Sequence, residues 1–261
     1  MYTMITGATG GLGRAFCFLC ASEGDKLLLT GRSQEKLLSL KEEIESRYAQ
    51  TEVKIYPADL SDDGSRYALI EKLTAEGVVL RRLINVAGAD IQKGFEEYSQ
   101  EKISFQCRVN FESVLALCRF ALDRKGQELE IINVSSVSGI YPMPYFAVYS
   151  ALKGALTSFS QALREETKGK GVRVTAVLPG AMPTREDIKE QIKGQGLWGR
   201  LAAKSPEFVA QKSLQAVRKN KRKLIPGFWN KVMNAGTKLV PLPLKLKFIA
   251  KRWSKISKDA F

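Results

Sequence analysis

YTMITGATGGLGRAFCFLCASEG, residues 2–24, is an apolar run, a glycine-rich turn and an apolar helical stretch in immediate succession. Tyr2–Thr6 reads as a strand, and Gly7, Gly11 and Gly13 follow it with the spacing G-x-x-x-G-x-G. Glycines between a strand and a helix let the turn tighten and bring backbone N–H groups against a pyrophosphate, which then sits at the helix N-terminus. Nucleotide binding is therefore expected at this junction. A plain tight turn is the alternative for a glycine spacing taken alone, so the rest of the chain must decide.

Downstream, strand-like and helix-like segments alternate. Lys26–Thr30 is the second strand and ends in Gly31-Arg32-Ser33. In a dinucleotide fold this point meets the adenosine ribose, where an acid binds the 2′-hydroxyl of NAD and an arginine accommodates the 2′-phosphate of NADP. Arg32 with Ser33 predicts NADP(H). Residues 34–50 read as an amphipathic helix with Leu37, Leu40, Ile44 and Tyr48 inward. Val53–Tyr56 is the third strand, running into Ala58-Asp59-Leu60, and residues 61–76 form the next helix. Leu83–Val86, Leu129–Val134 and Arg173–Leu178 are the fourth to sixth strands; Ile103–Leu122, carrying Asn110, and Phe146–Thr167 are the helices between them. Residues 205–217 read as a capped helix and Lys223–Pro226 as a last strand. This alternation predicts an α/β fold, a single Rossmann-like doubly wound parallel sheet, with ligands at the carboxyl ends of its strands. Residues 1–217 are expected to form the dinucleotide-binding catalytic domain, and residues 218–261 a basic amphipathic extension.

The chemistry-bearing stretch is SVSGIYPMPYFAVYSALK, residues 136–153. Helical spacing puts Tyr149 and Lys153 on one face, one turn apart. An ammonium that close favours phenolate, so the tyrosine pKa is expected to fall from about 10 toward the working pH. A tyrosine so tuned exchanges a proton with a carbonyl or alcohol oxygen. Ser136, at the end of the fifth strand, could hydrogen-bond the same oxygen.

Composition narrows the field. The 261 residues contain no histidine, which removes Ser-His-Asp and Cys-His catalysis and histidine metal sites. All four cysteines, Cys17, Cys20, Cys107 and Cys118, lie within apolar, helix-like runs, and Cys17 and Cys20, in FCFLC, read as free, buried thiols rather than redox or metal ligands. No signal-like stretch precedes the first strand and no run approaches the roughly 20 apolar residues of a spanning helix, so a cytoplasmic location is expected. The net charge is +14, yet residues 212–261 hold 14 of the 41 lysines and arginines and one acid, Asp259. Any basic-surface function belongs to this end of the chain.

Several separated motifs together resemble the short-chain dehydrogenase/reductase family over roughly residues 2–185. TGATGGLG at Thr6–Gly13 resembles its TGxxxGxG, NVAG at Asn85–Gly88 its NNAG with Val86 as a departure, and PGAMPT at Pro179–Thr184 its PGxxxT. Asn110, Ser136, Tyr149 and Lys153 stand where the family keeps its catalytic tetrad. The resemblance implies metal-free hydride transfer between a nicotinamide and a carbonyl or alcohol. Tyr149 would be the acid/base, Ser136 would hold the substrate oxygen, Lys153 would bind the nicotinamide ribose, and Asn110 would hold a water behind the lysine. The implied cofactor contacts are Gly7, Thr9, Gly11, Leu12 and Gly13 in the turn, and Arg32, Ser33, Asp59 and Leu60 beyond the second and third strands. Asn85, Ala87 and Gly88, then Tyr149 and Lys153, then Pro179, Gly180, Met182 and Thr184 complete the set. A homodimer or homotetramer through the two long helices is also implied.

Residues 185–204 read as a substrate lid, and Ile140, Tyr141, Met143 and Phe146 as an apolar mouth suited to a hydrophobic carbonyl such as a 3-oxoacyl or steroid ketone. Beyond Pro243, Leu246, Ile249, Trp253 and Ile256 recur at helical spacing among lysines. That pattern fits an anchor on an anionic membrane surface, a cap over the active-site mouth, or a tail folded on its own domain. No nucleic-acid reading module accompanies the charge. The competing functional reading is a non-catalytic NADPH-binding sensor recruited to a membrane or partner through its tail.

Overall fold

Strands β1 (Tyr2–Thr6), β2 (Lys26–Gly31), β3 (Val53–Pro57), β4 (Leu80–Asn85), β5 (Lys125–Val134), β6 (Val172–Val177) and β7 (Lys223–Leu224) form one parallel sheet. Their order is β3-β2-β1-β4-β5-β6-β7, the doubly wound arrangement in which the chain reverses direction between β1 and β4. The computed structural model describes residues 1–183, 203–237 and 239–254.

Side chains alternate across each strand, so adjacent apolar residues feed opposite layers. Ile5, Leu27, Leu29, Ile84 and Ile132 face α1 (Gly11–Ser22), α2 (Gln34–Arg47) and the helix Pro206–Arg218. Met4, Leu28, Leu83 and Ile131 face α3 (Asp63–Ala75) and the helices on either side of β5. Cys17 and Cys20 are buried in the first layer, and burial pushes the Cys17 thiol well up and Cys20 to about 12, as expected of inert thiols.

The expected helix 103–122 is three pieces: α4 (Gln100–Cys107), a π-helical turn (Arg108–Glu112) and α5 (Ser113–Asp123). β4 also begins three residues earlier than expected, because the charge of Arg82 is accommodated inside. Its Nε donates to Glu130 at 2.7 Å and its Nη1 to Asp25 at 2.6 Å, while Nη2 lies 2.7 Å from Glu130 without hydrogen-bond alignment. Thr3 donates its hydroxyl to Asp25 at 2.8 Å, and Arg81 adds a further contact from the rim. The polar start of β5, missed in the sequence, is held by pairing with β4, where the register shifts between Leu80 and Arg82.

Removing one partner from such a network strands the others. Arg82→Ala should lower unfolding free energy by about 3–5 kcal/mol, the range for breaking a buried ion pair. Urea denaturation checks it; a loss below about 1 kcal/mol would mean that Asp25 and Glu130 are satisfied by water or by protonation.

Candidate active site

The carboxyl ends of the strands converge on one edge. At β1, Gly7 adopts φ +60°, and a Cβ on Gly13 would lie 2.1 Å from the Gly7 carbonyl oxygen. No side chain fits at either Gly7 or Gly13. Helix α1 begins after Gly10 with no side-chain cap and no acid in its first turn, leaving its N–H groups free to meet an anion. The residues thus fit a dinucleotide pyrophosphate. Thr6 fixes the turn to β4: its Oγ1 accepts from the Val86 and Ala87 N–H groups, both at 3.0 Å. These two hydrogen bonds give the threonine of the TGATGGLG motif its structural role.

Around that cradle, Thr9 lies beside Gly31, Leu12 is buried, and Gly11 opens α1. Arg32 is exposed at the end of β2, and Ser33 caps α2 by accepting from Lys36 N. Asp59 accepts from both the N–H and hydroxyl of Ser61, and Leu60 is buried at the end of β3. The Asn85 side chain turns away into the sheet, where its Nδ2 donates to Asn133 Oδ1 at 2.8 Å. It is the residue that pairs neighbouring strands, so its side chain serves the floor of the site. Pro179 accepts from Val137 N, and Met182 packs partly buried on the first layer. Thr184 and most of the expected lid, residues 185–202, lie outside the described residues.

Helix α6 (Ala147–Glu166) begins where expected, with Phe146 as N-cap, and carries Tyr149 and Lys153. A short 3-10 turn, Val137–Gly139, follows β5 and presents Ser136 to them. The turn lies hard against α6: a Cβ on Gly139 would come within 2.5 Å of the Lys153 carbonyl carbon. Ser135 locks the contact by donating to Lys153 O at 2.7 Å. The Ser136 hydroxyl lies close enough to the Tyr149 phenol to favour its ionised form. Lys153 Nζ lies 5.5 Å from the centroid of the Tyr149 ring and donates to Val134 O at 3.1 Å. Asn110 sits in the π turn, a local widening often found at functional sites. Its Nδ2 donates to Ala89 O at 2.8 Å and to Gln106 O at 3.1 Å, and its Oδ1 accepts from Ala89 N at 3.3 Å. A Cβ on Gly88 would meet Asn110 Oδ1 at 2.8 Å and Lys153 Nζ at 3.3 Å. Ser136, Tyr149, Lys153 and Asn110 therefore form one cluster.

Its electrostatics differ from expectation. The Tyr149 pKa is raised, first by burial and then by the Asp90 carboxylate, with the nearby Ser136 hydroxyl pulling the other way. Lys153 is itself drawn down to about 8 by burial, partly offset by Asp90. The lysine does not dominate the tyrosine, because both lie in the same desolvated space. Tyr149 is a neutral phenol, poised to donate a proton. Asp90, five residues after Asn85, was missed, although an acid just past a strand end was visible in the sequence.

The burial comes partly from the tail. Helix α7 (Pro206–Arg218) caps with Ser205 and covers the first layer; α8 (Phe228–Thr237) and α9 (Leu242–Trp253) follow. Phe146 stacks on Tyr149 at 4.4 Å and on Trp253 at 6.2 Å between ring centroids. Ile249 is buried with Met143 and Phe146, and Lys245 Nζ lies 5.8 Å from the centroid of the Tyr141 ring. On α8, Asn230 abuts Gly180, where a Cβ would come within 2.9 Å of its Oδ1. A cavity of about 420 Å³ is lined by residues 139–144, the outer side of α6 and Leu246. It lies beside the cluster of Ser136, Tyr149, Lys153 and Asn110, none of which lines it.

The family described as short chain dehydrogenase matches residues 2–193. The chain belongs to that family. It is 32% identical over 194 residues to a very-long-chain 3-oxoacyl-CoA reductase of Anas platyrhynchos, covering 70% of this chain and 60% of that one. This member thus spans about 60% of the length of such relatives. A 7beta-hydroxysteroid dehydrogenase structure superposes with TM-score 0.85 at 26% identity, covering 95% of this chain and 96% of the other. A short-chain dehydrogenase from Sphingobium yanoikuyae in complex with NADPH superposes with TM-score 0.74 at 25% identity, covering 92% and 95%.

The lowered lysine value has a sign that can be measured. Lys153 titrates at about 8 when folded and at its ordinary 10.5 when unfolded, so between these values the unfolded chain binds more protons. Its burial penalty is complete below pH 8 and is relieved as pH rises toward 10.5. From pH 8 to 10 the wild type should gain stability over Lys153→Met by roughly 1 kcal/mol per pH unit. Parallel urea curves for the two proteins across that window would refute the burial argument.

Proposed function

We propose that this short-chain dehydrogenase is an NADP(H)-dependent oxidoreductase that interconverts a hydrophobic ketone and its alcohol. The observation that carries the reading is the clustering of Tyr149, with Lys153 Nζ 5.5 Å from its ring centroid, and the Ser136 turn packed hard against their helix. A bound reduced nicotinamide supplies hydride to the carbonyl carbon. Ser136 holds the substrate oxygen, and Tyr149 donates its proton to that oxygen as the C=O bond becomes C–OH. Lys153, mostly protonated at neutral pH with a pKa of about 8, stabilises the tyrosinate left behind and returns a proton to it. Asn110, tethered to Ala89 and close to Gly88, keeps polar groups beside that ammonium.

Arg32 supports NADPH over NADH, with Ser33 fixing the α2 start beside it. Tyr141, Met143, Phe146, Ile249 and Trp253 make an apolar, aromatic surround that favours a bulky hydrophobic carbonyl. The relatives' names, a very-long-chain 3-oxoacyl-CoA reductase and a 7beta-hydroxysteroid dehydrogenase, point to the same class.

NADPH consumption with a panel of 3-oxoacyl, steroid and short-chain ketones tests the proposal. Tyr149→Phe should cut turnover about 10²-fold or more while leaving NADPH affinity near wild type, because only the transferable proton is lost. Turnover that persists in this variant would remove Tyr149 as the acid. Arg32→Ala should weaken NADPH binding about tenfold or more, the loss of a charge-assisted bond, and leave NADH binding unchanged. Equal losses for both cofactors would remove the 2′-phosphate assignment.

A further inference from the structure

Among the described residues, eight of the fourteen large hydrophobic side chains that stand exposed fall between residues 228 and 248. The most open are Leu239 (88%), Phe228 (70%), Phe248 (67%) and Leu244 (59%). Soluble surfaces rarely gather so many large apolar groups in one short segment unless something covers them. No acidic residue occurs from Lys212 to Lys258, and fourteen lysines and arginines are spread through residues 212–258.

Helix α9 has two apolar sides. Leu246, Ile249 and Trp253, at i, i+3 and i+7, lie toward the substrate loop and α6. Leu244 and Phe248, one turn apart, are exposed, with Lys247, Lys251 and Arg252 exposed around them. The first side explains why α9 packs on its own domain; the second is left uncovered. A second copy would have to bring two strongly basic segments together. An anionic lipid surface satisfies both features at once, taking apolar side chains into the headgroup–acyl boundary and lysines against its charge. No described helix is long and apolar enough to cross a membrane, so the contact is interfacial.

We propose that the α8–α9 segment docks this protein on an anionic lipid bilayer, with Leu244 and Phe248 entering the interface. The opposite side of α9 then holds the Tyr141–Met143–Phe146 mouth at the lipid surface, where a lipid-like ketone is concentrated. That substrate consequence rests on the reductase reading; the docking does not.

Flotation of the full chain with phosphatidylcholine vesicles, with and without phosphatidylglycerol, tests it. Wild type should float with the anionic vesicles, at least tenfold less with phosphatidylcholine alone, and be released by raised salt. L244E/F248E should lose at least tenfold of that binding while oxidising NADPH with a soluble ketone as fast as wild type. Should that variant fold poorly, K247Q/K251Q provides a milder version with the same expected direction. Wild type that stays unbound, L244E/F248E or K247Q/K251Q that floats as well, or a dimer dispersed by L244E/F248E in place of flotation would overturn the docking. Turnover without flotation would sink the docking and leave the reductase; flotation without turnover on any ketone would do the reverse.

Discussion

At the carboxyl edge of the sheet, backbone has to touch backbone. Gly13 packs on the Gly7 carbonyl, and Gly139 packs on the Lys153–Gly154 peptide. Each contact is closer than any side chain allows, and each sets a different half of the site. The first leaves the uncapped start of α1 open for a phosphate; the second brings the Ser136 turn against the helix that carries Tyr149 and Lys153. Thr6 and Ser135 then hold these approaches with hydrogen bonds to Val86, Ala87 and the Lys153 carbonyl. The chemistry is thus placed by sterics and only afterwards tuned by charge.

Much of this was legible in the chain. Alternating apolar segments with long crossovers allow only a covered parallel sheet, and the glycine turn, Ser136 and the Tyr149–Lys153 pair all lie at strand ends or on the helix following one. What escaped has a common cause. The π turn at Asn110 depends on an amide hooked to Ala89, a contact from a different strand end that no helical periodicity reveals. The direction of the Tyr149 pKa was misread because pairwise spacing shows a neighbouring lysine but not the burial that acts on both groups. Phe146, which stacks on Tyr149, is itself backed by Trp253, about a hundred residues away in sequence. The bond from the Asn85 side chain to Asn133 links two strand ends, which spacing along one strand does not show.

The basic extension reads differently once its contacts are known. Asn230 fills the space beside Gly180, and Ile249 and Trp253 back the aromatic stack on Tyr149. The segment is therefore a wall of the candidate site as well as a source of charge. The cap and the anchor, alternatives in the sequence, are compatible because α9 has enough circumference for both.

The buried charges at the opposite end of the sheet have a consequence for how the strands find one another. Thr3, Arg82 and Glu130 project on the same side as Ile5, Ile84 and Ile132, where Asp25 waits at the start of β2. β1, β4 and β5 carry buried apolar residues on both faces, so hydrophobicity alone discriminates weakly between alignments. Slipping β4 by one residue would turn Arg82 to the layer of Leu83, a side that offers neither Asp25 nor Glu130. The network therefore discriminates between alignments that hydrophobicity separates only weakly, and in doing so sets how far each strand end reaches toward the cofactor edge.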